Sequence, residues 1–215
     1  MALHLHFHPL ASFCHKVLIA LYENDTAFTP HIVDLGDPAS RAAFEALWPM
    51  AKMPVLHDDA RGETVPESTI IIEYLAQHHP GAVPLLPADP DLAREVRLWD
   101  RLSDHYVHHP MQKIVTDRLR PAGQNDASGV EAARAMLRQA YAMLDARLAT
   151  RRWAVGESFS MADCATAPAL FYAAKVEPFD TGQPHLAAYF DRLMTRPSYV
   201  RVLEEAEPYF KLFPG

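Results

Sequence analysis

Two side chains capable of hydroxyl or thiol chemistry, Ser12 and Cys14, lie just ahead of an apolar, helix-like run. A hydroxyl at the N-terminal edge of a helix can donate a hydrogen bond to an anion, and the helix dipole adds to that stabilisation. A cysteine reacts as its thiolate, but a lone cysteine inside a helix is more often a small packed residue. A Cys-x-x-Cys pair would fall on Ser12 and His15, so dithiol redox chemistry is not predicted.

A second group of candidates lies around Pro54, Glu67 and Ser68. Glu67 and Ser68 stand at the start of a predicted helix, where free N–H groups bind a carboxylate and a neighbouring acid can hold an ammonium group. Together they suit the zwitterionic head of an amino acid. Pro54 comes directly before a strand-like run, a place where a cis peptide bond after Met53 is structurally useful.

Histidines form two further groups that invite a metal interpretation. One group alternates along a strand and the other lies within one turn of a helix: His4, His6 and His8, then His105, His108 and His109. No carboxylate or cysteine at a matching spacing accompanies either group. No metal site is predicted.

The elements that must position these residues follow from periodicity. Residues 2–8 alternate as a strand, 13–24 place apolar residues one helical turn apart, and 31–35 form a second strand. A helix over 39–48, a hairpin over 54–65 and a helix over 68–78 complete the order β-α-β-α-β-β-α, which predicts an α/β unit with parallel and antiparallel pairing.

A proline-rich stretch without periodicity separates this unit from the rest of the chain. We predict domains at 1–80 and 93–215, joined by a linker over 81–92. Apolar residues recur at helical spacing throughout the second part, Ser160 and Asp163 have the pattern of a capping box, and helices are predicted at 183–195 and 197–206. The second domain is predicted to be all-helical.

The order of these motifs resembles the cytosolic glutathione S-transferases over nearly the whole chain. Residues 12–17, Ser-Phe-Cys-His-Lys-Val, are similar to the Ser-Pro-Cys-Arg-x-Val stretch of theta-like and delta-like transferases. Residues 159–163 and 196–199 also resemble the family. The resemblance implies a thioredoxin-like first domain, a helical second domain and a bacterial, serine-type, theta- or zeta-like transferase.

The resemblance also implies roles for the candidate residues. Ser12 stabilises the thiolate of bound glutathione, Glu67 and Ser68 hold its γ-glutamyl amine and carboxylate, and Met53, before Pro54, pairs with its cysteinyl backbone. Lys52 lies near its glycine carboxylate. The electrophile site is expected to include Leu10, Tyr106, His109 and Phe213. Met111 and Gln112 are expected on the same helix as Tyr106 and His109, and the aromatic C-terminal tail is expected to cover the site.

Three alternatives stay open beside this interpretation. A glutathione-dependent isomerase of the zeta kind has a similar first helix, but its Ser-Ser-Cys-Ser stretch is replaced by Ala11-Ser12-Phe13-Cys14. Cys14 is the alternative thiol, for mixed-disulfide exchange. A non-catalytic binding module is the third, although such a module has no need of Pro54, Glu67 and Ser68.

Composition restricts the partners. The 215 residues, 49% of them hydrophobic and 22% charged, are typical of a globular protein with a real core. A formal net charge of −7 disfavours nucleic-acid and anionic membrane surfaces, so the expected partners are glutathione and a small hydrophobic electrophile. Two cysteines suggest free thiols in a reducing compartment, and no signal peptide or membrane span is apparent, which predicts a cytoplasmic protein. Homodimerisation is implied by the resemblance.

Overall fold

The computed structural model describes residues 2–179 and 182–214. Its first part has the predicted order of elements. They are β1 Leu3–Phe7, α1 Ser12–Glu23, β2 Thr29–Ile32, α2 Pro38–Leu47, β3 Val55–Asp58, β4 Glu63–Pro66 and α3 Ser68–His78. The prediction of a β-α-β-α-β-β-α unit is confirmed.

The strands form one mixed sheet in the order β2-β1-β3-β4. β1 pairs parallel to β2 and antiparallel to β3, and β3 and β4 form the predicted hairpin. The alternation along β1 buries Leu3, Leu5 and Phe7 in the main core, while His4 and His6 lie on the opposite face and are half-buried. The alternation of side chains along the strand therefore determines which face of the sheet packs against α1 and α3.

The second part is helical, as predicted. Its elements are α4 Pro90–Leu102, a π-helical turn Ser103–His108, α5 His109–Arg118, α6 Ala127–Leu148, α7 Met161–Ala173, α8 Pro184–Met194, α9 Pro197–Ala206 and a 3-10 turn Glu207–Leu212. Nearly every residue of α7 is buried, and α1 packs against both α7 and α9. One continuous core therefore joins the sheet-bearing part to the helical part.

Three predicted boundaries differ from the structure. β2 runs over Thr29–Ile32 rather than 31–35, because its parallel register with β1 pairs His4 with Thr29 and Phe7 with Ile32. α4 begins at Pro90, within the predicted linker, because Asp89 caps it by accepting from the N–H groups of Asp91 and Leu92. The helix expected to carry Tyr106 and His109 together is divided by the π-helical turn.

Candidate functional site

A cleft of about 850 Å³ opens between the two parts of the chain. The first part contributes the segments around the N-terminus of α1, the loop before β3 and the start of α3. The helical part contributes α4, the π-helical turn, α5, α7 and the C-terminal tail. Most of the predicted site residues line it: Leu10, Ser12, Lys52, Met53, Pro54, Glu67, Ser68, His109 and Phe213.

Ser12 is the first residue of α1 and lines the cleft. The N-cap is Ala11, with φ −80° and ψ 122°, and its methyl group offers no acceptor to the helix. The first N–H groups of a helix have no acceptor inside the helix. They lie, together with the Ser12 hydroxyl, at the positive end of the helix dipole. This end of α1 is suited to an anion.

Cys14 occupies a different environment from Ser12. It has no exposed surface and packs in the main core. Burial raises the pKa of its thiol to about 12, which opposes formation of the thiolate at neutral pH. Cys164 is also free and fully buried. Neither thiol is among the cleft-lining residues.

The start of α3 and the loop before β3 also line the cleft. The Met53–Pro54 peptide bond is cis, the conformation that the sequence suggested. Glu67 is the N-cap of α3 and has φ +69°, a left-handed conformation that is uncommon for a residue with a side chain. Within the described ranges its side chain makes no capping hydrogen bond, so the N–H groups at the start of α3 are free for a carboxylate.

The wall contributed by the helical part is apolar with polar interruptions. Met111, Val115, Tyr172 and Phe213 line the cleft, and Phe213 stacks on Tyr172 with ring centroids 5.4 Å apart. Tyr172 also donates a hydrogen bond from its hydroxyl to the Leu10 carbonyl at 2.7 Å. The predicted contribution of the C-terminal tail thus lies in the cleft, next to α7.

Tyr106 is the exception among the predicted pocket residues. It lies outside the cleft-lining set and is 46% exposed. The residues of this segment that do line the cleft recur at helical spacing along one face: Arg101, Asp104, His105, His108, His109 and Gln112. Residue 106 is about half a turn away from that face, so its ring points elsewhere.

A buried ionic cluster lies beside the cleft, and the sequence patterns do not predict it. Lys16 Nζ lies 2.6 Å from Asp100 Oδ1, without the alignment of a hydrogen bond, and 3.1 Å from Asp104 Oδ2. It also donates to Thr69 Oγ1 at 2.9 Å, and Thr69 donates to Asp100 Oδ2 at 2.7 Å. The available signals were a lone lysine inside an apolar helix and two carboxylates one turn apart.

The comparisons with known proteins agree with this architecture. A sequence model of the glutathione S-transferase N-terminal domain matches residues 5–83, and one of the C-terminal domain matches residues 102–197. A glutathione S-transferase-like protein, LUC7, from a Fusarium species is 34% identical over 162 residues, which cover 74% of this chain and 71% of that protein. The chain belongs to the glutathione S-transferase family.

Two other glutathione S-transferases are similar to this transferase over most of its length. Glutathione S-transferase GstB of Escherichia coli K12 is 28% identical over 163 residues, covering 75% of this chain and 78% of GstB. The crystal structure of a glutathione S-transferase from Methylobacillus flagellatus KT with glutathione bound has a TM-score of 0.84 at 28% identity. The structural similarity covers 94% of this chain and 98% of the chain from Methylobacillus flagellatus KT.

Three members of the histidine groups, His4, His8 and His105, make hydrogen bonds. His4 pairs through its two ring nitrogens with His31 at 2.8 Å and Asp59 at 3.0 Å. Over residues 2–179 and 182–214, no group of three or more His, Cys, Asp or Glu side chains is arranged to hold a metal ion. In the same ranges, no helix has the length and apolar character needed to cross a bilayer.

Two buried histidines give the transferase a predicted acid sensitivity. Burial lowers the pKa of His15 and of His108 to about 4. His15 donates through Nε2 to the Pro9 carbonyl at 2.5 Å, while among the residues described its Nδ1 has no partner. His108 lines the cleft beside Phe13, with ring centroids 4.1 Å apart. Both imidazoles are neutral at pH 7.

We expect the free energy of unfolding to fall as the pH drops from about 6.5 towards 4. The folded pKa of each buried histidine lies below its unfolded value, so the unfolded state binds more protons in this window, at up to about 1.4 kcal/mol per pH unit for each group. Urea denaturation between about pH 7 and 5 measures this slope. His15→Gln, which keeps an N–H donor, should reduce it, whereas His185→Gln, at an exposed position, should not. An unchanged slope in His15→Gln would contradict the assignment.

Proposed function

We propose that this protein binds glutathione in the cleft, activates it as a thiolate and transfers it to an apolar electrophile. The observation that carries the proposal is the meeting of an anion-binding helix start at Ser12, the Met53–Pro54 loop and the Glu67–Ser68 pair in one cleft with an apolar wall. In this proposal residues 1–80 hold glutathione and residues 93–215 supply the electrophile site. The class of electrophile is small and hydrophobic.

The roles of the individual residues follow from their chemistry. Glu67 would hold the γ-glutamyl amine, the start of α3 with Ser68 its carboxylate, and Lys52 the glycine carboxylate. Met53 would pair through its backbone with the cysteinyl unit. These contacts bring the sulfur to Ser12, where the hydroxyl and the free N–H groups of α1 favour the thiolate over the thiol.

We further propose, from the family resemblance, that the protein is cytoplasmic, acts in detoxification and forms a homodimer. Exchange through a mixed disulfide on Cys14 is the less favoured alternative, because the sulfur is fully buried and burial raises the pKa of the thiol to about 12. The titration described next separates the two mechanisms.

The test is the pKa of the bound glutathione thiol, followed by the ultraviolet absorbance of the thiolate. A hydrogen bond to a charged group is worth about 1.5–3 kcal/mol, so Ser12→Ala should raise this pKa by about one to two units. Cys14→Ser should leave it close to the wild-type value. Conjugation of a chloronitroaromatic electrophile at neutral pH should fall in parallel for Ser12→Ala.

Two results would overturn this mechanism. If the bound thiol of Ser12→Ala keeps its low pKa, the N–H groups of α1 alone stabilise the sulfur and the role assigned to Ser12 is wrong. If mass spectrometry finds glutathione attached to Cys14 and Cys14→Ser abolishes turnover, the protein is a thiol-exchange enzyme. Failure of the wild type to bind glutathione would leave only the non-catalytic binding module.

A further inference from the structure

Arg101 is a cation at the cleft whose hydrogen-bonding capacity is largely unused. Its Nη2 donates to His105 Nε2 at 2.7 Å, and its Nη1 lies 3.5 Å from Asp104 Oδ2, the outer limit for a hydrogen bond. A guanidinium group carries five N–H donors in a planar fork that matches a carboxylate. In the described ranges, Lys52 and Arg101 are the lysine and arginine residues that line the cleft.

The neighbouring charges do not satisfy Arg101. Asp104 is the nearest carboxylate, but it already faces Lys16 Nζ at 3.1 and 3.4 Å from its two oxygens. Arg97, one turn earlier on α4, is in the opposite situation. Its Nε and Nη2 donate to the two oxygens of Glu73 at 2.7 and 2.8 Å. Of these two arginines, Arg101 is the one available to a ligand.

The position of Arg101 is fixed relative to the start of α3. Asp100, its neighbour in the chain, accepts the Thr69 hydroxyl at 2.7 Å, and Lys16 bridges Thr69 to Asp104. Thr69 follows Ser68 directly. Asp100 thus holds the end of α4 that carries Arg101 beside the start of α3. Arg101 lines the same cleft as Glu67 and Ser68, where the uncapped N–H groups of α3 favour an anion.

We propose that Arg101 binds the α-carboxylate of the γ-glutamyl residue of glutathione, together with the N-terminus of α3. This inference rests on the proposed function, and it adds a residue of the helical part to the glutathione site. The charges are complementary, because Glu67 faces the amine of the same zwitterion. Arg101 then selects thiols that carry a γ-glutamyl group over thiols that lack it.

Calorimetric titration of two thiols tests this assignment. The thiols are glutathione and cysteinylglycine, which lacks the γ-glutamyl residue, and the proteins are the wild type, Arg101→Gln, Arg101→Lys and Arg97→Gln. Arg101→Gln should weaken glutathione binding about tenfold or more and leave cysteinylglycine binding unchanged. Arg101→Lys, which keeps the charge, should recover part of the loss. Arg97→Gln is the matched control and should change both dissociation constants by less than about twofold.

The outcomes separate this inference from the proposed function. If the wild type binds glutathione and Arg101→Gln binds it equally well, the inference is wrong and the proposed function stands. If Arg101→Gln weakens the binding of both thiols equally, or alters turnover only with negatively charged electrophiles, Arg101 does not bind the γ-glutamyl group and the inference is wrong. If the wild type binds no glutathione, both fail. Circular dichroism of each variant excludes a loss of fold.

Discussion

Replacing Lys16 with methionine is expected to lower the free energy of unfolding at pH 7 by about 3–5 kcal/mol, because it leaves two buried carboxylates without their cation. Lys16 and Asp100 have at most 1% of their surface exposed, and Asp104 has 7%. Lys16 belongs to α1, whereas Asp100 belongs to α4 and Asp104 to the π-helical turn that follows it. The loss of Lys16 therefore also weakens the contact between these elements beside the cleft. Chemical denaturation of the purified variant measures the change.

The pH dependence of this loss has a definite sign. Burial raises the pKa of Asp104, opposed by Lys16, so removal of Lys16 should raise it further. The folded state of Lys16→Met then binds protons more tightly than the unfolded state, and its deficit relative to the wild type should shrink as the pH falls. Asp100→Asn in the Lys16→Met background should recover part of the stability.

Arg94→Met, which removes the cation of an exposed ion pair on α4, provides the control. Arg94 pairs with Asp91 at 2.6 Å, but both side chains are more than 70% exposed. A surface pair of this kind contributes about 0–1 kcal/mol. If the two substitutions cost the same, the buried cluster does not contribute to stability as described.

The second large effect is expected at Asp163, at the start of the central helix α7. Its carboxylate has no exposed surface and accepts hydrogen bonds from the N–H of Ala154, the N–H and hydroxyl of Ser160, and the hydroxyl of Tyr189. Asp163→Ala leaves these buried donors unsatisfied at about 1–3 kcal/mol each. We expect a loss of about 4 kcal/mol or more, measured by urea denaturation.

Asp126 offers a less buried control, a carboxylate that also accepts a hydrogen bond at the start of a helix and that pairs with Lys113 at 2.5 Å. It caps α6 by accepting from the N–H of Gly129 at 2.9 Å, and its side chain is 39% exposed. Asp126→Ala should cost about 1 kcal/mol, the usual loss for an N-cap. Asp163→Asn, which keeps one acceptor oxygen, should lie between the two alanine variants. A loss at Asp163 no larger than that at Asp126 would contradict the role of the buried carboxylate.

Local sequence patterns predicted much of the fold and part of the candidate site. The alternation along β1, the proline before β3 and the acid-hydroxyl pair before α3 are each contained in a few consecutive residues. Backbone preferences and capping act over that same range, so these features can be read without knowing the packing. The capping pair Ser160 and Asp163 was recognised in the same way.

The sequence does not predict which side chains of a helix face the cleft when this depends on the rotation of the helix about its axis. The sequence predicts Tyr106 in the cleft, but the side chain lies half-exposed outside it. Its direction is set by the packing of the whole helix and by the π-helical turn at Ser103–His108. The sequence alone leaves Cys14 as an alternative thiol, because its burial depends on how α1 packs in the core.

The order of elements, the family resemblance and the short motifs around Ser12, Pro54, Glu67 and Ser68 follow from the sequence alone. The tertiary structure alone decided the ionic cluster of Lys16 and the availability of Arg101. Lys16 lies more than eighty residues from Asp104 in the chain. Residues so far apart come into contact only when the core of the two parts has formed. Local periodicity therefore does not predict which charged side chains will be buried next to one another.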